Sequence, residues 1–293
     1  MLHAARQSLG RAAPNASTAR AWFDRTRVRH WAHFLLLPLV TFDPSRADAA
    51  ALFAAARGVA SAFAILAFGY LLNSVSDRRM DLDARKNPFI LPGPTEHRYS
   101  LAALVAVSLG LAAFSPWPAQ LATAACLLFG YVYSMGPRIK SIPILGTVAN
   151  LGNFGPLLFV GMQSTTLPPR FEYVALAFAA LLLQNQLIHE AADTVEDRGG
   201  GIRTTWLTLG PNWTAALAAV SGLGAAIAAA AIAPSARSTV VLVIVAAVYG
   251  GVFPTLLARR ELESPSAARL RIAHRWCALL SGAGLFLAWR WAA

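Results

Sequence analysis

The sequence predicts an all-α, polytopic membrane protein with nine transmembrane helices. Three observations support this. Apolar residues fill 56% of the 293 positions and only 13% are charged, a balance outside the range of soluble domains. The apolar residues are gathered into segments mostly of about 17–25 residues, enough to cross a hydrocarbon core of about 30 Å as helices. The alternating apolar and polar pattern of barrel strands is absent.

The nine segments fall at 30–43, 49–73, 99–115, 118–135, 143–162, 172–191, 212–232, 237–258 and 270–290. The first is the weakest, being short and interrupted by Pro38, which cannot donate a helical hydrogen bond. Charge then sets the orientation. The N-terminal tail, the loops after spans two, four, six and eight and the adjoining start of span nine, with Arg271 and Arg275, hold 20 of the 25 Lys and Arg residues. The opposite side holds Arg46, Arg170, Arg237 and Arg290, and Arg57 lies within span two, where its stem can snorkel. By the positive-inside rule the N-terminus and these loops are cytoplasmic, in an integral protein of the bacterial inner membrane. The net charge of +11 therefore reports topology and not nucleic-acid binding. Residues 1–29 form a basic cytoplasmic tail with no apolar core for a secretory signal. Residues 30–293, undivided by any linker, form one transmembrane domain. Cys126 and Cys277 lie within spans and act as small hydrophobes.

Half of the acidic residues are confined to two stretches. Seven of 14 fall in Asn73-Ser-Val-Ser-Asp77-Arg-Arg-Met-Asp81-Leu-Asp83 and His189-Glu190-Ala-Ala-Asp193-Thr-Val-Glu196-Asp197, which end spans two and six. A carboxylate within a membrane helix costs roughly 2.5–3.5 kcal/mol, so such clustering points to function. Residues four apart share a helix face. Asn73, Asp77 and Asp81 thus form one stripe and His189, Asp193 and Asp197 another, with Asp83 and Glu196 off the stripes and Glu190 an auxiliary candidate. Two bare carboxylates about 6 Å apart repel by about 3 kcal/mol at an effective dielectric of about 20, so each pair shifts a pKa or binds a cation. All-oxygen ligands suit Mg²⁺, and two facing pairs can hold two ions around one diphosphate. A third stretch, Tyr131-Val-Tyr133-Ser-Met-Gly136-Pro137-Arg138-Ile-Lys140, closes span four on the same side. Its Arg and Lys can neutralise phosphate oxygens and Tyr133 can donate a hydrogen bond. The chain has only two Lys, Lys86 and Lys140, and both lie in these loops.

Together the three stretches resemble the UbiA superfamily of intramembrane prenyltransferases. That pattern is Asn-x-x-x-Asp-x-x-x-Asp after span two, a Tyr-Ser…Pro-x-x-Lys segment after span four and Asp-x-x-x-Asp after span six. The matching residues are Asn73/Asp77/Asp81, Tyr133-Ser134…Pro137-Arg-Ile-Lys140 and Asp193/Asp197. The resemblance implies a nine-helix bundle with a central cavity, in which two Mg²⁺ ions bind the diphosphate of a polyprenyl donor. The prenyl group then passes to a lipophilic, aromatic acceptor. It further implies that Asp77, Asp81, Asp193 and Asp197 are the catalytic metal ligands. Asn73, Lys86, Tyr133, Arg138, Lys140 and Arg203 would bind the diphosphate. Two departures stand out: Ser74 where many members have a second acid, and Asn87-Pro-Phe-Ile-Leu-Pro-Gly93 where Arg-Pro-x-x-Ser-Gly is usual. Asn150, Asn153, Gln184, Asn185 and Gln186 are expected to hydrogen-bond between helices, with an acceptor pocket the alternative. A terpene cyclase, a polyprenyl-phosphate phosphoribosyltransferase and a cation-coupled transporter are the competing functions. Against transport, the acids gather at one side instead of the bilayer midplane.

Overall fold

The computed structural model describes residues 18–43, 48–78, 87, 89, 97–232, 236–259 and 264–291. Among these every regular element is a helix. In chain order they are α1 (Thr18–Arg25), α2 (Val28–Trp31), a 3₁₀ segment (Ala32–Thr41) and α3 (Ala49–Asp77). Then come α4 (His97–Ala112), α5 (Trp117–Ser134), a 3₁₀ turn (Ile139–Ser141), α6 (Leu145–Phe154) and α7 (Leu157–Val160). The second half holds α8 (Phe171–Ala192), α9 (Thr194–Gly199), α10 (Thr205–Ile232), α11 (Ala236–Val245), a π-helical stretch (Ala246–Val252), α12 (Phe253–Leu257) and α13 (Ser264–Trp291).

Three described helices are long and apolar enough to cross a membrane: Ala49–Asp77, Phe171–Ala192 and Thr205–Ile232. The other predicted spans are shorter, interrupted or carry charge, each for a local reason. The first is a 3₁₀ helix containing Pro38, and at a rise of about 2.0 Å per residue its ten residues reach about 20 Å. The fifth breaks at Gly155–Pro156 between α6 and α7. The eighth passes through the π stretch. The ninth, α13, carries Arg269, Arg271 and Arg275 in its first half. Within α10 the chain turns at Gly210 (φ 74°, ψ 175°) before Pro211, a backbone conformation that glycine adopts without a Cβ penalty.

At the start of α3, Asp48 accepts a hydrogen bond from Ala51 N at 2.7 Å, an N-cap worth about 1 kcal/mol. The 29 residues that follow span about 43 Å at about 1.5 Å per residue, longer than a hydrocarbon core of about 30 Å, with Asn73 and Asp77 in the last turns. Residues of the predicted tail join the fold: Trp22 stacks on Phe63 of α3 at 5.9 Å, and the buried Trp31 donates Nε1–H to Thr26 O at 2.6 Å.

The buried apolar residues form a cluster in each half and a third, with Leu158, Phe171, Ile232 and Trp289, that joins the two halves. Trp31, Ile65, Leu66, Cys126 and Leu157 belong to the first; Leu187, Ile188, Trp206, Tyr249 and Leu257 belong to the second. Cys126 packs there as the small hydrophobe predicted. In the second half, α10 approaches the π stretch so closely at Gly222 that a Cβ there would lie 2.1 Å from Tyr249 O. Gln184 ties these elements together. Its Nε2 donates to Ala218 O and Tyr249 O, both at 2.7 Å, and its Oε1 lies 3.0 Å from His274 Nε2. Gln184→Leu strips three partners at once from a fully buried site, and each unsatisfied buried group costs about 1–3 kcal/mol. A fall in the detergent-solubilised melting temperature of several degrees is expected; an unchanged melting temperature would show the knot to be dispensable.

Candidate functional site

The first acidic stretch is gripped by the loop after α5. Past Ser134 the backbone extends at Met135, then turns through Gly136 (φ 55°) and Arg138 (φ 54°) into the 3₁₀ turn. This reversal aims Arg138 and Lys140 back at α3. Lys140 Nζ donates to Asp77 Oδ1 at 2.5 Å and to Asn73 Oδ1 at 2.9 Å, while Arg138 Nη2 donates to Asp77 Oδ1 at 2.9 Å. Ser134 Oγ completes the cluster at 3.3 Å from Asn73 Oδ1. The Asp77 and Lys140 side chains are only 13% and 9% exposed, so this ion pair is stronger than one in open water. Ser74, one of the departures from the family pattern, is buried, and its carbonyl accepts from Asn87 Nδ2 at 2.7 Å. A carboxylate there would need its own counter-charge. Asp81 and Lys86 lie outside the described residues.

The second acidic stretch is not one continuous helix. Asp193 (φ −95°, ψ 7°) ends α8 and begins α9. The expected stripe survives the break because the four-residue backbone bonds continue: Asp193 N to His189 O at 3.0 Å and Asp197 N to Asp193 O at 2.9 Å. His189 Nδ1 lies 3.2 Å from Asp193 Oδ2. Glu190 is buried and engaged at both oxygens. Thr147 Oγ1 (2.6 Å) and Gln186 Nε2 (3.4 Å) donate to Oε1, and Trp206 N (3.1 Å) donates to Oε2. Thr205 Oγ1 extends the network, 2.6 Å from Thr147 Oγ1 and accepting from Ile144 N at 2.7 Å. Glu190 thus anchors α6 and the start of α10 to α8, and its lone pairs are spent on that task. Glu190→Gln must turn an N–H₂ toward donors, so a stability loss of about 1–3 kcal/mol is expected, read as a lower melting temperature; a neutral result would return Glu190 to the candidate ligands.

Both stretches face one cavity of about 200 Å³. Asn73, Asp77, Tyr133, Lys140, Asp193, Glu196 and Asp197 line it, so Glu196 joins the site despite lying off the predicted stripe. Arg203 is exposed and outside the lining, because the backbone that passes the cavity presents its neighbours Ile202 and Thr204 instead. Arg138 stands outside the lining and, among the described residues, meets the site at Asp77. Sequence reasoning missed Arg27, Tyr70, Arg271 and Arg275, which also line the cavity. The available signal was the four-residue spacing of Arg271 and Arg275 inside the predicted ninth span. Gln184 and the pair Asn150–Gln186 (3.0 Å) do bond between helices as expected. Asn153 and Asn185 instead line the cavity with their Oδ1 atoms buried and unpartnered.

A second cavity of about 350 Å³ adjoins the first, sharing Phe34, Leu182, Asn185 and Arg275. Its remaining walls are mostly apolar, including Leu37, Phe178, Leu181 and Phe286. Among the described residues no three His, Cys, Asp or Glu side chains converge as a ready-made metal cluster. The donor chemistry nevertheless fits Mg²⁺: carboxylates from two helix ends facing one polar cavity, with room for waters and phosphate oxygens to complete the shell.

A model of the UbiA prenyltransferase family matches residues 30–279. The chain belongs to this family. Similar folds include a UbiA homologue from Archaeoglobus fulgidus bound to GPP and Mg²⁺, at 20% identity and a TM-score of 0.70 over 92% of this chain and 99% of that one. The same homologue bound to DMAPP and Mg²⁺ gives 21% and 0.68 over 90% and 98%. A structure concerning digeranylgeranylglyceryl phosphate synthase in membranes gives 14% and 0.69 over 94% and 98%. At such identities these likenesses establish the fold alone. No curated protein sequence matches the chain.

Proposed function

We propose that the chain transfers a prenyl group from a polyprenyl diphosphate to a lipophilic, aromatic acceptor within the membrane, using two Mg²⁺ ions. One observation carries this reading: a polar cavity lined by Asp77, Asp193, Asp197 and Lys140 opens against an apolar one. That junction matches a molecule with a diphosphate head and a hydrocarbon tail. GPP and Mg²⁺ in the Archaeoglobus homologue support the same donor class and metal.

Asp77, Asp81, Asp193 and Asp197 would hold the metal, whose positive charge, when bound, stabilises the departing diphosphate. Lys140 and Arg138 neutralise phosphate oxygens beside Asp77, while Asn73 and Tyr133 orient the head group. Lys86, nine residues after Asp77 in the sequence, is assigned the same role. The bond between C1 and the bridging oxygen breaks with its electron pair going to the diphosphate. A ring carbon of the acceptor then bonds to C1 and releases its proton. Phe34, Tyr70 and Phe154 line the polar cavity and offer π faces to the allylic cation while excluding water.

The charge bias across nine spans supports a bundle of nine transmembrane helices around this cavity. It also supports a cytoplasmic N-terminus, cytoplasmic site loops and residence in the bacterial inner membrane. The family match from residue 30 supports the domain 30–293 after a basic segment 1–29.

The test is diphosphate release by the purified protein in lipid nanodiscs, supplied with allylic diphosphates of several lengths. Release should require Mg²⁺ and stop on chelation, and a prenylated product should form only with an aromatic acceptor. Folded protein that cleaves no donor would overturn the proposal, and an acceptor-independent hydrocarbon would reassign the chain as a cyclase.

A further inference from the structure

The loop that carries Lys140 into the cavity is built around a strained residue. Ile144, four residues after Lys140, has φ 63° and ψ −53°, and Leu145 N donates to Pro143 O across it at 2.6 Å. This is the γ-turn in its rare, strained form, and a β-branched side chain at positive φ is an outlier. Such a conformation persists only where its surroundings over-determine it, chiefly at active sites and switch regions. Two contacts do so here. Ile144 N donates to Thr205 Oγ1 at 2.7 Å. The start of α6 also lies so close to the 3₁₀ turn that a Cβ on Gly146 would stand 2.8 Å from Lys140 O, an approach that needs glycine.

Thr205 is itself oriented from across the bundle. An amide N–H can only donate and a carboxylate only accept, so the bonds run one way. They pass from Ile144 N to Thr205 Oγ1, on to Thr147 Oγ1 at 2.6 Å, and into Glu190 Oε1 at 2.6 Å. Each hydroxyl is acceptor and donor at once, which fixes its rotation and strengthens the chain. Thr205, Thr147 and Glu190 are all buried. On the other side of the turn, Lys140 Nζ meets Asp77 and Asn73. A continuous path therefore joins α8, just before Asp193, to the ammonium beside Asp77. Thr205 stands behind the cavity wall, which takes its neighbour Thr204 instead.

We propose that Thr205 is a positioning residue for the donor. It holds the γ-turn at Ile144, and through it the Lys140 turn, so that the Glu190 network of the second half sets where the ammonium of the first half meets the diphosphate. The inference rests on the reading of Lys140 as a donor ligand, and two measurements separate the one from the other. The first needs no ligand. Hydrogen exchange in lipid nanodiscs should be about tenfold faster or more at residues 139–146 in Thr205→Val, while the bodies of α3, α8 and α10 stay protected. Valine keeps the shape of the side chain but accepts no bond. Thr205→Ser, which keeps the hydroxyl, should exchange like the wild type and guards against a packing effect of the valine. Unchanged exchange at 139–146 in Thr205→Val would overturn the proposal, as would equal loosening throughout the bundle. The second measurement is calorimetric binding of geranyl diphosphate with Mg²⁺. Thr205→Val should weaken it about fivefold in the wild-type background and less than about twofold beside Lys140→Met, because a residue acting through Lys140 has nothing to position once the ammonium is gone. Equal losses in both backgrounds would leave Thr205 a purely structural residue and sink the proposal. A wild type that binds no allylic diphosphate would instead remove the donor reading of Lys140, with the exchange result still deciding whether Thr205 holds the turn.

Discussion

Asp193→Asn is expected to lower kcat for donor cleavage by about a thousandfold or more while leaving the fold intact. The substitution keeps the shape of the side chain and removes one negative charge from the cavity wall. Among the described residues its side chain lies 3.2 Å from His189 Nδ1, with both side chains at least a quarter exposed. Such a partly exposed pair contributes about 0–1 kcal/mol, so stability barely changes. In the proposed reaction the catalytic effect is larger, because this carboxylate would help to hold the Mg²⁺ that offsets the negative charge of the departing diphosphate. Removing one preorganised electrostatic contact from an active site commonly costs about 10²–10³ in rate, and metal affinity falls in addition. Raising Mg²⁺ should therefore recover part of the loss. The measurement is diphosphate release against Mg²⁺ concentration, with circular dichroism as the folding control. Wild-type turnover in a folded variant would remove Asp193 from the metal set.

The site was legible in the sequence to the extent that it is built on helical spacing. Asn73 and Asp77, or Asp193 and Asp197, reveal a shared face because four residues make about one turn. The second pair keeps its face even across the break at Asp193, since the backbone bonds run on through it. The loop after α5 was readable for a different reason: basic residues crowd a loop whose neighbours are acidic, which draws attention to charge complementarity. Arg271 and Arg275 escaped because arginines at the cytoplasmic end of a span have a ready explanation as anchors. Whether they face lipid headgroups or a cavity depends on how α13 is rotated against α8, a tertiary fact. Glu190 shows the opposite limit. Its place one turn before Asp193 suggested a further ligand, yet the partners that claim it, Thr147 and Trp206, lie 43 and 16 residues away. Sequence spacing cannot anticipate such long-range hydrogen bonds. The first span illustrates a milder case. Pro38 signalled a disturbed helix, and the chain answers with a 3₁₀ segment of ten residues, whose greater rise per residue partly offsets its shortness.

Lys140→Met is expected to reduce kcat/KM for the donor by about 10- to 100-fold, or about 1.4–2.7 kcal/mol of transition-state stabilisation. In the folded chain Lys140 Nζ is the hub of the first stretch, holding Asp77 Oδ1 and Asn73 Oδ1 at once. A donor diphosphate arriving there meets an ammonium already positioned at the cavity wall, so little reorganisation is needed when charge develops. Methionine preserves the length and apolar stem but supplies no donor. The structural cost is softened because Arg138 remains on the same Asp77 oxygen, so Asp77 is not left as an uncompensated buried charge. A stability loss of about 1–2 kcal/mol then follows, in contrast to the 3–5 kcal/mol, roughly, of a buried pair broken outright. Adding Arg138→Met should expose that difference, with the double variant losing more stability than the sum of the single changes. Lys140→Arg keeps the charge but adds a rigid fork beside Arg138, and activity between that of Met and the wild type is expected. Donor kinetics and melting temperature on the wild type, the three single variants and the double variant decide the matter. If Lys140→Met kept wild-type kcat/KM, the loop after α5 would serve only to hold Asp77, and the phosphate-binding role would pass to other cations.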